Sequence, residues 1–392
     1  MNKRVYFLMI VSFVVGMVEL IIGGILDLMA EDLGVSLSKV SLLITIFALI
    51  FAVGSPVLLI MTAKIERKRL MLLSLCVFLA GNLVTVFSWT YSVVFIGRVI
   101  SALSGALLII LCLTIAPSIV QPHYRGRAIG IVSMGVSASI VLGLPIGLIL
   151  GNAFGWRAPF VLITLLTVLS MAGVFFLMGR VEPKPSHPIG EQLATLKDRK
   201  IFFGQAITFL FMTGHMTLYA FLTPFAESTL GIDGSWISII YLFFGAAAVS
   251  GGGVGGTLSD KIGPKRTIIM TTVSMIVILF VIPFTTFSLP VFLVMLLIWG
   301  VVSWMLAPAT QSNLMILSPE TSDIQQSLNN SALHLGIAFG SFIGGLVIDY
   351  ASVEHNPTIG AVFVILSVGA AFLSMYGQTH SARKEADTKA HS

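Results

Sequence analysis

The stretch VVGMVELIIGGILDLMA, residues 14–30, places two carboxylates among apolar side chains. An ionised carboxylate in a membrane costs several kcal/mol, and such residues usually have a function. Burial favours the protonated form, so Glu19 could hold a proton near neutral pH and release it when water reaches it. Asp27 lies about 12 Å further along a helix, offset by about 80°. Both predict proton carriage, although Glu19 could be a hydrogen-bonded structural acid and Asp27 part of a solvated helix end.

Other polar side chains also interrupt apolar stretches. Arg98 could favour an ionised Glu19 nearby, or its side chain could extend to the membrane surface. Within one helix, residues four apart share a face, as His215 and Tyr219 would. Such groups can bind a heterocycle or pass protons, but they can also simply bridge helices. The candidates for substrate contact are His215, Tyr219, Trp304, Gln311, Asn330 and His334.

The composition requires lipid as the solvent for much of the chain. Of the 392 residues, 56% are hydrophobic and 10% are charged, whereas roughly 25% are charged in soluble domains. A helix needs about 20 mostly apolar residues to cross a membrane. The sequence therefore predicts an all-α integral membrane protein with twelve spans. They are 5–30, 41–63, 70–88, 92–117, 128–151, 158–179, 201–226, 235–258, 267–286, 289–312, 327–349 and 357–377.

One long polar segment divides the chain. We predict an N-terminal six-helix bundle at 1–179, a cytoplasmic linker at 180–200, a C-terminal bundle at 201–380 and a polar tail at 381–392. Two patterns recur in both halves. The hexapeptide KIERKR begins at residue 64 and KIGPKR at residue 261, and glycines repeat every four residues in the fifth and eleventh spans. A glycine stripe alone indicates helix packing, but matched stripes in two halves favour a duplicated transporter with a central site.

The distribution of charge predicts the orientation. If the N-terminus is inside, 19 of the 22 Lys and Arg residues fall in inner loops and tails. The positive-inside rule then places both termini in the cytoplasm of a plasma-membrane protein. No Walker sequence or metal-ligand spacing is present, so we expect no enzyme activity, cofactor or metal. The basic residues are dispersed among short loops, so no nucleic-acid partner is expected. We expect a monomer, while a dimer is left open.

Three motifs resemble the major facilitator superfamily, and the resemblance covers essentially the whole chain. GGTLSDKIGPKR, 255–266, resembles the loop between the second and third helices of a half, with Gly256, Asp260 and Arg266 at matching positions. The first-half copy departs from it at 59, 63 and 66. GRVISALSGALL contains Arg98 where the family has an arginine in its fourth helix. GLPIG resembles the antiporter motif of the fifth helix, with Gly143, Pro145 and Gly147.

Together these motifs resemble the drug:proton antiporter branch. Stretches such as VELIIGGIL and GHMTLYAFLTPF resemble bacterial purine-base and nucleoside efflux pumps. The resemblance implies two pseudo-symmetric six-helix bundles, with the first, fourth, seventh and tenth helices lining a central cavity. It also implies alternating access, in which protons exchange for purines, nucleosides or drug-like molecules across the lipid bilayer.

The resemblance also assigns roles to residues. Glu19, Asp27 and Arg98 would couple protons to transport. Gly256, Asp260 and Arg266, with the three residues of GLPIG, would serve conformational change. Two alternatives stay open, which are a proton symporter for uptake and a membrane sensor without transport.

Overall fold

The computed structural model of the protein describes residues 3–62, 64–121, 125–182, 189–232 and 234–376. In these ranges, twelve helical stretches are long and apolar enough to cross a membrane. The predicted all-α fold with twelve membrane-spanning helices is therefore confirmed. Part of the predicted linker, 183–188, and the predicted tail, 381–392, lie outside the described residues.

The helices form two similar halves. The N-terminal half contains α1 (Lys3–Gly24), α2 (Leu26–Leu33), α3 (Leu37–Met61), α4 (Arg67–Val86), α5 (Tyr91–Ser118), α6 (Arg125–Ala138), α7 (Leu144–Phe154) and α8 (Ala158–Leu177). The short α9 (Ile189–Thr195) lies in the predicted linker. The C-terminal half contains α10 (Arg199–Tyr219), α11 (Leu222–Leu230), α12 (Gly234–Ile262), α13 (Pro264–Val281), α14 (Leu289–Leu317), α15 (Ser322–Tyr350) and α16 (Asn356–Tyr376).

The first span of each half is broken near one end, which corrects the predicted continuous spans 5–30 and 201–226. Ile25 separates α1 from α2 at φ −113° and ψ 23°. Phe221 precedes α11 with almost the same backbone, φ −119° and ψ 23°. Both short helices end at a left-handed glycine, Gly34 with φ 62° and Gly231 with φ 64°, a conformation that suits a residue without Cβ. Apolar periodicity does not reveal such breaks, because a single residue changes the chain direction.

The fifth span is also irregular, which corrects the predicted continuous span 128–151. A π-helical turn, Ser139–Gly143, separates α6 from α7. Pro145 follows at the second position of α7 and has no N–H to donate, and a proline ring normally clashes with the carbonyl four residues earlier. The wider turn directly before this proline accommodates both effects.

The glycine stripes pack against the first helix of their own half. A Cβ atom added at Gly143 or Gly147 would meet side chains of α1, and one added at Gly151 would meet Ile25 and Leu28 just beyond it. In the C-terminal half, a Cβ atom at the corresponding glycines of α15 would meet backbone carbonyls of α10. Both helix pairs are therefore closer than larger residues would allow. The contacts on α10 are Gly336 with Phe209, Gly340 with Thr213 and Gly344 with Thr217.

The halves contact each other mainly through α3 with α15, α7 with α12, and α1 and α2 with α11. The Thr45 hydroxyl lies 2.9 Å from that of Ser341, and the Ser331 hydroxyl donates to the Ala52 carbonyl at 2.8 Å. We call the end of the bundle that carries α2 and α11 the α2 end. The loops with the two basic hexapeptides lie at the opposite end, because each follows a helix that begins near the α2 end.

The two hexapeptide loops begin the next helix differently. The Glu66 carboxylate accepts hydrogen bonds from the backbone N–H groups of Lys68, Arg69 and Val181 at 3.1, 2.9 and 2.9 Å. Burial opposes ionisation of Glu66, but these donors outweigh it and lower its pKa. Gly263 occupies the equivalent position before α13 with φ 88°. The N-terminal loop therefore uses the Glu66 side chain to cap α4 and to bind the segment that follows α8, whereas the other loop uses a left-handed glycine.

Candidate functional site

A cavity of about 280 Å³ lies between the halves. This volume is near the lower end of the roughly 300–1,000 Å³ typical of small-molecule sites. Its walls come from α1, α3, α5 and α6 on one side and from α10, α12, α14 and α15 on the other. Six predicted site residues line it, namely Glu19, His215, Tyr219, Trp304, Asn330 and His334.

Glu19 contacts the opposite half of the molecule through His334. The Glu19 Oε1 atom lies 3.1 Å from the His334 Nε2 atom, and the side chains are only 16% and 7% exposed. The other ring nitrogen, Nδ1, lies 2.9 Å from the backbone carbonyl oxygen of Asn330. A carboxyl and an imidazole in contact inside a membrane can hold or transfer a proton.

Phe51 stacks on His334 and was not predicted as a site residue. The ring centroids are 4.6 Å apart and the planes differ by 16°. Phe51 belongs to α3, so the histidine of one half is held between the acid and the aromatic ring of the other. A phenylalanine within an apolar span gives no sequence signal that distinguishes it from packing residues.

Arg98 lies behind Glu19 and is completely buried. Its Nη1 atom donates to the Val18 carbonyl at 2.7 Å, and its guanidinium carbon lies 4.1 Å from the centre of the Phe47 ring. It also interacts electrostatically with Glu19. Its side chain does not extend to the membrane surface, and its Nε and Nη2 atoms have no hydrogen-bond partner within the described chain.

Aromatic side chains of the C-terminal half form a wall around His215. Its ring stacks on Tyr219, with centroids 5.1 Å apart and planes 21° apart. Phe244 lies at 6.1 Å and 16° on the same ring, and Trp299 meets it edge-on at 5.4 Å. Phe244 and Trp299 were not predicted, since both lie in uniformly apolar stretches. The wall offers flat ring faces beside the cavity.

The hydrogen bonds of His215 define which ring nitrogen can accept. The Ser303 hydroxyl donates to the Trp299 carbonyl at 2.6 Å and also lies 3.3 Å from His215 Nδ1. A hydroxyl has one hydrogen, so in this arrangement Ser303 accepts from Nδ1. Neutral His215 then has a free lone pair on Nε2, which can accept a hydrogen bond.

The α2 end closes over the cavity with hydrogen bonds to the end of α1. The last carbonyls of a helix have no partner within that helix. Tyr241 donates to the Gly23 carbonyl at 3.1 Å, and Thr223 lies 3.3 Å from the carbonyls of Gly23 and Gly24. The C-terminal half therefore supplies the partners for the end of α1.

Asp27 faces the same closure and does not line the cavity. Burial raises its pKa, and the nearby charge of Glu31 adds to this effect. On α11, burial and the charge of Asp27 raise the pKa of Glu227 to about 7. Glu227 was not predicted because it lies just beyond the predicted span 201–226. Asp32 differs, because hydrogen bonds from Trp156 and Arg157 lower its pKa.

The remaining predicted residues lie away from the cavity walls. Gln311 is exposed on α14, three residues beyond Pro308. Asp260 and Arg266 are exposed at either end of the second hexapeptide loop, and Gly256 has open space around its Cβ position. The three GLPIG residues are placed in the π-turn and α7, where the glycines pack on α1. Among the described residues, no group of three or more His, Cys, Asp or Glu side chains could hold a metal.

Comparison with known proteins decides the family. A sequence model of the Major Facilitator Superfamily matches residues 8–341. The chain belongs to this superfamily. The uncharacterized MFS-type transporter YbcL of Bacillus subtilis strain 168 is 35% identical over 382 residues, covering 97% of this chain and 98% of YbcL. The uncharacterized MFS-type transporter YtbD of the same strain is 28% identical over 362 residues, covering 91% of each chain.

The fold is also that of solved superfamily members. A bacterial homologue of the human lysosomal transporter Spinster, in an inward-facing and unoccupied conformation, gives a TM-score of 0.79 at 18% identity. The match covers 95% of this chain and 96% of the homologue. The occupied form gives a TM-score of 0.78. This superfamily member is therefore a multi-pass membrane transporter with a small-molecule substrate.

Proposed function

We propose that this transporter exports small, flat organic molecules from the cell in exchange for protons. Purine bases, nucleosides and drug-like aromatic compounds are the candidate substrates. One observation carries the proposal, which is the cavity between the halves that holds the Glu19 carboxyl on one side and an aromatic wall on the other. A proton carrier and a binding surface for flat rings thus share one compartment.

The coupling follows from the cost of a buried charge. An ionised Glu19 is tolerated when water enters the cavity and is disfavoured when the cavity closes around it. Alternating access therefore exposes the same carboxyl first to one compartment and then to the other. The membrane potential contributes about 2.3 kcal/mol per charge for each 100 mV, which together with a pH gradient can drive uphill export.

The aromatic wall supports a flat substrate. His215 and Tyr219 present stacked ring faces, Trp304 adds a third aromatic side chain to the cavity, and stacked aromatic pairs contribute about 0.5–1.5 kcal/mol beyond the area they bury. The lone pair on His215 Nε2 can accept from a ring N–H, and the Asn330 side chain offers both a donor and an acceptor. This combination suits a nitrogen heterocycle better than a sugar or an ion.

The charge distribution supports an orientation for the α2 end. The hexapeptide loops at the opposite end carry Lys64, Arg67, Lys68 and Arg69, and their C-terminal counterparts. The α2 end carries acidic residues on α2 and α11. Under the positive-inside rule the α2 end faces the exterior of the plasma membrane and both termini are cytoplasmic. We expect the functional unit to be a monomer.

The experiment uses purified protein in liposomes that contain a pH-sensitive dye. Hypoxanthine, adenosine and a panel of lipophilic aromatic compounds are added outside, without an imposed gradient. Entry of a substrate by exchange should remove protons from the lumen and raise its pH. Glu19→Gln should abolish this proton movement and leave substrate binding largely intact.

The matched control is Glu31→Gln, which removes an exposed carboxylate from α2 and should leave the signal unchanged. A fall in luminal pH on substrate addition would show symport and reject export by exchange. Absence of proton movement with every compound, in protein shown to be folded, would reject proton coupling.

A further inference from the structure

Glu19 and His334 contact each other across the two halves, and the neighbouring groups indicate where the hydrogen atoms of this contact lie. Glu19 belongs to α1 and His334 to α15, and their nearest atoms are 3.1 Å apart. The inference drawn from it rests on the proposed function, because it identifies where the coupling proton resides.

His334 Nδ1 is the ring nitrogen that faces away from Glu19. His334 Nδ1 lies 2.9 Å from the Asn330 carbonyl oxygen. A carbonyl oxygen only accepts hydrogen bonds, so Nδ1 carries a hydrogen. The neutral ring then has its lone pair on Nε2, the nitrogen that faces Glu19.

The contact between His334 Nε2 and Glu19 Oε1 depends on how many protons the two groups hold. If both groups have lost their proton, a lone pair faces a negatively charged oxygen and no hydrogen bond forms. With one proton, the pair is either a carboxylic acid donating to a neutral imidazole or an imidazolium donating to a carboxylate. Both arrangements give an attractive contact, and the second is a charge-assisted hydrogen bond. The observed distance therefore requires at least one proton on the pair, and a single proton is the count that leaves the buried pair without net charge.

Several other side chains surround the Glu19–His334 pair. Arg98 from α5 interacts with Glu19 from within the N-terminal half. His215 and Tyr219 from α10 line the same cavity, and Phe51 from α3 covers the His334 ring without a titratable group. The other described residues lining the cavity are uncharged. Among the cavity-lining residues, the pair is thus a carboxyl and an imidazole in direct contact.

We infer that Glu19 and His334 hold the coupling proton jointly, and that losing this proton releases the contact between α1 and α15. His334 is then a proton-binding residue in addition to a lining residue of the substrate cavity. Proton release changes a contact that crosses between the halves, which links titration directly to their separation.

The test compares two transport modes in liposomes. His334→Gln and Glu19→Gln should each retain exchange of labelled substrate for unlabelled substrate, which needs no net proton transfer. Each should reduce accumulation driven by a pH gradient by about tenfold or more, and the double variant should be no worse than either single variant because the two residues act as a unit. His355→Gln is the control, because it removes an exposed histidine that does not line the cavity, and it should keep the coupling of gradient to accumulation.

A measurement on the unaltered side chain covers the case in which His334→Gln does not fold. Nitrogen NMR of ¹⁵N-histidine-labelled wild-type protein should show that Nδ1 of His334, like that of His215, stays protonated, while Nε2 of His334 gains and loses a proton with pH. Glu19→Gln should change the titration of that residue alone.

Two results separate the inference from the proposed function. If His334→Gln keeps gradient-driven accumulation with the wild-type pH dependence while Glu19→Gln loses it, the proton resides on Glu19 alone and the inference is wrong, but export by exchange stands. If wild-type protein shows no proton coupling with any compound, both are wrong.

Discussion

Two acidic residues, one on α1 and one on α2, face the C-terminal half. One faces a basic side chain there and the other faces an acidic side chain. Glu19 on α1 contacts His334, a base. Asp27 on α2 lies near enough to Glu227 on α11 for its charge to raise the pKa of that acid. Both interactions cross between the halves, but only the first is attractive when its carboxyl group is ionised.

This difference shows two ways in which a proton can hold the same halves together. At Glu19 one proton creates a hydrogen bond between a carboxyl and an imidazole. Near Asp27 a proton removes repulsion between two carboxylates. The first site lies in the substrate cavity, whereas the second lies at the closure of the α2 end. The two sites can therefore respond to different compartments.

The largest effect is expected at Arg98, which interacts electrostatically with Glu19. Arg98→Ala removes a buried cation and its hydrogen bond to the Val18 carbonyl, and hydrogen bonds to charged groups contribute about 1.5–3 kcal/mol. We expect the rate of gradient-driven transport in liposomes to fall by about tenfold to a hundredfold. Arg98→Lys, which keeps a positive charge, should recover part of the rate. Wild-type transport by Arg98→Ala would remove Arg98 from the coupling.

The interaction between Asp27 and Glu227 should make closure of the α2 end depend on pH. The Glu227 pKa is about 7 in this arrangement and 4.5 ordinarily, so the closed contact binds a proton that the separated, hydrated group releases. Protonation of Glu227 therefore favours closure of the α2 end fully below pH 4.5, the ordinary pKa of the group. This contribution is lost as the pH rises through about 7. Between about pH 5 and pH 7 the ratio of closed to open protein should fall by up to about tenfold for each pH unit, and above pH 7 it should level off.

Double electron–electron resonance can measure this closure as the distance between two spin labels. The labels are placed at the exposed residues Glu31 and Ser228, one on each half, after Cys76→Ser and Cys112→Ala remove the native cysteines. A longer distance should gain population at high pH. Glu227→Gln should make the distances independent of pH in this range. Glu354→Gln, at an exposed acid, is the control and should retain the dependence, whereas unchanged behaviour of Glu227→Gln would disprove the assignment.

The smallest effect is expected at Asp32, an acid of α2 whose partner belongs to its own half. Its Oδ2 atom lies 2.8 Å from Arg157 Nη1, with side chains 47% and 28% exposed. Such exposed pairs contribute at most about 1 kcal/mol. Its lowered pKa means that this contribution is present above the ordinary value of 3.8 and is lost as the pH falls below it. Asp32→Asn should shift thermal unfolding by only a few degrees and leave the spin-label distances unchanged, and a pH-independent closure in this variant would contradict the comparison.

The sequence predicted the twelve-span fold because long apolar stretches are conspicuous, and it pointed to Glu19 and His334 because ionisable groups within such stretches are conspicuous too. Glu19 and His334 were identified individually for this reason, but their contact was not, since it depends on how two distant helices face each other. Phe51 and Phe244 could not be identified, because an aromatic residue in an apolar span is chemically like its packing neighbours. Glu227 was missed because the break at Phe221 turns α11 away from the line of α10 and brings its acid toward α2.

The glycines of α15 have a mechanical consequence. Gly336, Gly340 and Gly344 lie so close to the backbone carbonyls of α10 that a Cβ atom on any of them would clash, so α15 has no side chain that could repack on this face. The two helices should have little compliance relative to each other. A displacement that begins at His334 on α15 would then carry His215 on α10 over a similar distance. A protonation change at His334 would thus move the substrate-binding side chains of α10 on the same side of the cavity, because the two helices would move as one rigid unit.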